Sequence, residues 1–181
     1  MRCYHLNNMY MSSIQQGIQS AHAQMELFVK YKEQDLYDYA SSTGENPPEH
    51  VVKASTKANM LYDWAKHHKT MIVLNGGYLS TMKEALIFLD VTENPYPFAE
   101  FYESEEAMGG MLTNIAIVLP EKIYQTSEFM RKRMIDNRLN VDTKLPIETS
   151  DEVEETMASF GVFSDYEIEL CSFMNNFVLA N

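Results

Sequence analysis

The stretch from Met11 to Lys30, MSSIQQGIQSAHAQMELFVK, constrains this chain more than any other. Ser12 or Ser13 offers a short side-chain oxygen to the unpaired amides of a first helical turn, so a helix is predicted to begin there. Ile14, Ile18, Ala21, Met25 and Phe28 recur with the spacing of one helical stripe, which predicts that they face a core. Gln15, Gln19, His22 and Glu26 repeat the spacing about a quarter turn away. The helix therefore carries an apolar face and, beside it, a row of two amides, an imidazole and a carboxylate. Such a row can line a site beside the edge of a sheet. On most helices it is simply solvated, and a lone histidine is more often structural than catalytic, so the row needs further groups brought to it by the fold.

The remaining segments alternate strand and helix patterns. Arg2 to Tyr10 predicts a strand that turns near Asn7 and Asn8. Glu49 to His68 predicts a helix with Val52, Met60, Leu61 and Trp64 on its apolar side, and with Lys66, His67, His68 and Lys69 at its negative end. Thr70 to Leu74, TMIVL, predicts a buried strand. Ser80 is expected to cap a helix from Thr81 to Asp90 with Met82, Ala85, Leu86 and Leu89 inward. Phe98 to Tyr102 and Met111 to Leu119 predict two more strands. They are joined by an acidic loop, Glu103 to Gly110, too short for a helical crossover, so antiparallel pairing or separation within a mixed sheet is expected. After Pro120 the pattern is helical. Capping-box spacings stand at Thr149–Glu152 and Ser164–Glu167, and the last helix is expected to run to Leu179. It is too apolar for a solvated helix. The fold class is α/β: a small mixed four-stranded sheet flanked by helices. Residues 1–120 form the domain, with an insertion at about 32–63, and residues 121–181 form a helical extension.

With 181 residues, 45% of them hydrophobic, the chain can bury a real core. No apolar run suits a membrane span and no leader pattern is visible, so a cytoplasmic protein is expected. Cys3 and Cys171 are far apart, and the five histidines lack ligand spacing, so neither a metal nor a cofactor is expected. Asn75-Gly76-Gly77 turns the chain but lacks the lysine of a phosphate loop. A net charge of −12 disfavours nucleic acid, tRNA included, and suits a protein partner or self-association.

The segment SSIQQGIQSAHA, Ser12 to Ala23, resembles the first helix of the peptidyl-tRNA hydrolase 2 family, above all its small bacterial and phage relatives. Trp64, TMIVL, the capped helix, PFAEFYESE and MLTNIAIV resemble the rest of that fold in order, so the likeness spans about residues 3–31 and 64–119. The resemblance implies a mixed four-stranded sheet and hydrolysis of the ester joining peptide to tRNA. It also implies that Gln19 and His22 match the glutamine and histidine of the family helix, and that Thr113 matches a threonine of the last strand. Gln15 stands where active members carry lysine, and Glu103 is the residue nearest to their aspartate.

Three functions are compatible with these residues. In a hydrolase, His22 is the base and Glu103 its partner, while Gln15, Gln19 and Thr113 position water or ester. Gln15 carries no charge to replace the lysine. In an interaction module, a phage-type accessory, inhibitor or oligomer-forming protein, the fold is kept and the chemistry lost. In a small-ligand binder, Gln15, Gln19 and His22 are polar contacts in the former cleft. The interaction module is the leading expectation.

Overall fold

The computed structural model describes residues 1–31, 46–143, 155 and 158–180, with backbone alone for 134–143. The capping box expected at Thr149–Glu152 lies outside these residues. The elements, in chain order, are β1 (Arg2–Asn7), α1 (Ser13–Lys30), α2 (Glu49–Asp63), a π-helical turn (Trp64–His68), β2 (Met71–Asn75), α3 (Leu79–Leu89), β3 (Phe98–Tyr102), α4 (Glu105–Met108), β4 (Leu112–Leu119), α5 (Glu121–Thr143), α6 (Asp165–Met174) and β5 (Val178–Leu179). The chain divides into two compact units, one built from Met1–Leu119 with β5, the other from Pro120–Phe177.

The first unit is an α/β structure around a mixed sheet ordered β3-β4-β1-β2-β5. β1 pairs parallel with β2, Cys3 opposite Met71, and antiparallel with β4, Asn7 opposite Asn114. β3 and β4 are antiparallel, with an irregularity between Phe101 and Tyr102. The four strands expected from sequence are joined by a fifth. The last helix stops at Met174, a turn follows at Asn175–Asn176, and Val178–Leu179 pairs antiparallel with Leu74–Asn75. An open edge of β2 would leave a row of unpaired amides and carbonyls, and β5 covers the Leu74–Asn75 end of it, with the Ala180 amide donating to the Val73 carbonyl. The acidic connection holds one helical turn, α4, where a loop was expected; Ser104 caps it by accepting from the Ala107 amide.

Burial follows position in the sheet. All eight residues of β4 are buried, as a central strand demands. β2, read from its apolar run as a buried strand, is so only in part: Leu74 is buried while Met71 is exposed, because only the two-residue β5 lies beyond β2, whereas β4 has the full-length neighbours β1 and β3. Helix α3 buries Met82, Ala85 and Leu89 as its spacing predicts, but it starts at Leu79, and Ser80 lies inside it instead of capping it. In α2 the inward residues are Ser55, Ala58 and Leu61, followed by Trp64. Val52 faces outward. The Trp64 indole donates to the Thr70 carbonyl at 3.1 Å, fixing the entry to β2.

The largest departure from expectation concerns α1. Its buried residues are Gln19, Ser20, Ala23 and Leu27. Ile14 is 78% exposed, Ile18 48%, Met25 62% and Val29 62%. Ala21 is also exposed and Phe28 is half-buried. The reason lies in the sheet beneath. Its α1-facing positions become polar toward one end, through Asn7 and Asn114, and a helix laid there must supply hydrogen-bond partners. Ser20 does so, and Ala23 and Leu27 meet the apolar half of the face, packing with Cys3, Ala99, Ala116 and Val118.

The second unit holds α5 and α6. Ser164 and Glu167 form the expected capping box: the Glu167 amide donates to Ser164 Oγ at 3.3 Å, and the Ser164 amide donates to Glu167 Oε2 at 2.9 Å. The other oxygen of Glu167 meets Lys122 Nζ at 2.7 Å, and Lys122 also donates to the Val162 carbonyl at 2.8 Å. Burial pushes the Cys171 thiol up to about 12, with Glu167 adding and Lys122 opposing.

Candidate functional site

The C-terminal ends of β1 and β3, the start of β4 and the first half of α1 meet at one end of the sheet. The Asn8 amide donates to the Thr113 carbonyl at 3.0 Å, and the Glu103 amide to the Met111 carbonyl at 2.9 Å, so the strand ends are tied together. The loop from α4 back to β4 passes through Gly109 and Gly110, whose φ values of 61° and 65° favour glycine.

On this frame the Gln19 carboxamide bridges two strands. Its Nε2 donates to Glu103 Oε2 at 2.7 Å, and its Oε1 accepts from Thr113 Oγ1 at 3.1 Å. Thr113 Oγ1 also lies 3.2 Å from the Phe101 carbonyl. The second Glu103 oxygen accepts from the Ser104 amide at 3.0 Å. That amide, then the Gln19 amide, and then the attraction of His22 hold the Glu103 carboxyl below the usual carboxylate range. His22 is exposed, its ring tilted against Phe101 at 4.7 Å. Gln19, Thr113, Glu103 and His22 thus meet on one side of the sheet.

Gln15 does not join them. Its Oε1 accepts from the Ser12 amide at 3.0 Å and lies 2.9 Å from Ser12 Oγ, closing the capping box of α1. An uncharged side chain three residues into a helix, after a serine cap, satisfies the first-turn amides before anything else.

Beneath the site runs a buried polar chain that spacing alone did not mark. His5 Nδ1 lies 3.2 Å from Asn114 Oδ1, Asn114 Nδ2 donates to Asn7 Oδ1 at 2.8 Å, and Asn7 Nδ2 donates to Ser20 Oγ at 3.1 Å. Because the Asn114 oxygen accepts, His5 carries its hydrogen on Nδ1, and Nε2 is left to accept from the Cys3 thiol at 3.4 Å. Burial lowers the His5 pKa to about 4, the Asn114 contact opposing, and raises that of Cys3 beyond any ordinary thiol value. The available signal was Asn114, a polar residue inside an otherwise apolar strand.

The arrangement offers one fixed carboxylate, an amide locked between two partners and an exposed imidazole. Among the described residues, no group of three His, Cys, Asp or Glu side chains is placed to hold a metal ion, and no helix is long and apolar enough to cross a membrane. Comparison of the chain with protein-family models, with curated proteins and with solved structures gives no match.

Proposed function

We propose that this protein is an interaction module: an α/β domain resembling peptidyl-tRNA hydrolase 2 that binds a protein partner through the outward face of α1 and lacks efficient ester hydrolysis. The observation that carries this reading is the inversion of α1, which turns Ile14, Ile18, Met25 and Val29 to solvent and Gln19 and Ser20 to the sheet. Apolar side chains contiguous on one exposed face mark an interaction site more often than scattered ones do. The chemistry beside it points the same way. Gln15 is held in the helix cap, and both ends of the Gln19 amide already have partners. No lysine stands where the resembled family places one, so a developing oxyanion would meet little positive charge. The net charge of −12 further opposes a tRNA substrate.

A photo-crosslinking amino acid placed at position 18 of the full chain in producing cells tests the reading. A discrete protein adduct is expected there and none at position 87, since Ile87 is 73% exposed on α3 without an apolar stripe around it. Absence of an adduct at 18, or equal labelling at both positions, would refute it.

One observation favours a second reading, a divergent hydrolase: Glu103, Gln19, Thr113 and His22 come together as that chemistry needs. In it His22 takes a proton from water, the carboxylate of Glu103 stabilises the resulting imidazolium, and Gln19 and Thr113 hold the geometry. Release of tRNA from an N-blocked aminoacyl-tRNA, abolished by His22→Ala, would establish that reading over the first.

A further inference from the structure

Resting on the interaction-module reading, we infer that the occupant of the outward face of α1 is a second copy of this chain, docked helix on helix across Ile14, Ile18, Ala21 and Met25. At about 100° per residue, Ile14 lies about 180° around the helix from buried Ala23, so this face points directly away from the sheet. The steps from 14 to 18, 21 and 25 are four, three and four residues. That is the seam of a helix that packs along another helix, narrower than the stripe of a helix covering a sheet.

The charge distribution selects the partner. On a chain of net charge −12, the stretch from Met11 to Met25 has no acidic or basic side chain apart from His22. Two copies meeting here juxtapose no like charges. A basic partner would find no carboxylate between Met11 and Met25 to pair with, and Glu103, beside His22, is already held by Gln19 and the Ser104 amide. Area permits it: the exposed parts of Ile14, Ile18, Ala21 and Met25, with Val29 at the end of the same face, amount to roughly 500 Å² per chain, so an isologous contact that covers them fully buries on the order of 1,000 Å² in total, the low end for a specific association.

Gly17 adds an independent observation. Glycine inside a helix weakens it, and a Cβ built at Gly17 meets nothing within 4 Å, so the chain itself gives no reason for one. Gly17 and Ala21 lie one turn apart on the exposed side. Small residues there let a second helix approach while Ile14, Ile18 and Met25 flank the crossing. The contact is self-complementary about a two-fold axis near Ile18 and Ala21. His22 adjoins the seam, so assembly places the imidazoles of both copies at its rim.

Sedimentation of the purified full chain over a concentration series tests this. The mass is expected to rise from 20.9 kDa to twice that value through the micromolar range. Ile18→Asp should hold it at 20.9 kDa throughout with little change in thermal midpoint, because Ile18 is 48% exposed and is no part of the buried core; Ile87→Asp should behave as the parent does. A parent chain that stays monomeric, or an Ile18→Asp variant that dimerises equally, overturns the inference. A crosslinked adduct at position 18 that contains a different protein overturns it too, while leaving the interaction-module reading standing. No adduct at all removes both.

Discussion

Acidification should weaken the first unit through one buried side chain, His5. It is fully buried, and its pKa is lowered from 6.5 to about 4 because the cationic form would lose its hydration and gain little from Asn114. A base held below its free value is protonated more readily in the unfolded chain. Stability is therefore complete above about 6.5 and is lost as pH falls toward 4. At pH 5.5 the unfolded state gains about 1 kcal/mol by binding this proton, and at pH 4.5 about 2–3 kcal/mol. Protonation would also set an N–H against the Cys3 thiol, which now donates to that nitrogen. The perturbation is His5→Gln, whose amide can still donate to Asn114 but does not titrate. Urea unfolding followed by Trp64 reads the correct unit, since this single tryptophan shares a core with Cys3. Between pH 7.5 and 5.5 the parent should lose about 1 kcal/mol more than the variant, whatever the variant's own starting stability. The four other histidines and all the carboxylates are common to both proteins and cancel. Parallel losses in the two proteins, or a His5 ring that titrates near 6.5 in the folded state by NMR, would refute the argument.

Gly76→Ala should lower the first unit's stability by about 1–3 kcal/mol in the same unfolding assay, because its Cβ would stand 2.9 Å from the Asn7 carbonyl oxygen and 3.0 Å from the Leu6 carbonyl carbon, backbone atoms that cannot swing aside. Ser164→Ala should cost about 1 kcal/mol by opening the capping box of α6, seen as an earlier thermal loss of helical circular dichroism, with Ser164→Asp restoring most of it. Cys3 and Cys171 are both buried with raised pKa values, so a thiol reagent at pH 8 should label native protein slowly and urea-unfolded protein fast; rapid native labelling of either would contradict the packing.

Elements whose burial follows a single rule were legible in the sequence. α3 shows its inward residues at helical spacing, and β3 and β4 are mainly apolar stretches bounded by prolines and a glycine pair. What was not legible depended on contacts between distant segments. Nothing local says that Val178–Leu179 leaves a helix to pair with β2, since a two-residue strand exists only because an edge is there to receive it. The overestimate of β2 has the same origin. Apolar content reports what a strand tolerates, while the length of the neighbours beside it decides what is covered.

The site was legible in a different sense. The row Gln15, Gln19, His22 and Glu26 does lie on one flank of α1, and its middle members reach β3 and β4 through Glu103, Phe101 and Thr113. The error was to let the larger apolar side chains decide which side of the helix faces inward. Hydrophobicity ranks the two faces of α1 correctly only above an apolar sheet. Asn7, Thr113 and Asn114 make this end of the sheet polar, and an unpartnered buried amide costs more than an isoleucine left in water gains by burial. The same polar strand ends that draw Gln19 and Ser20 inward therefore force Ile14, Ile18 and Met25 outward. The amide network beneath α1 and the apolar face above it are two consequences of one choice of strand residues. Replacing Asn7 and Asn114 together by apolar residues removes the reason for both.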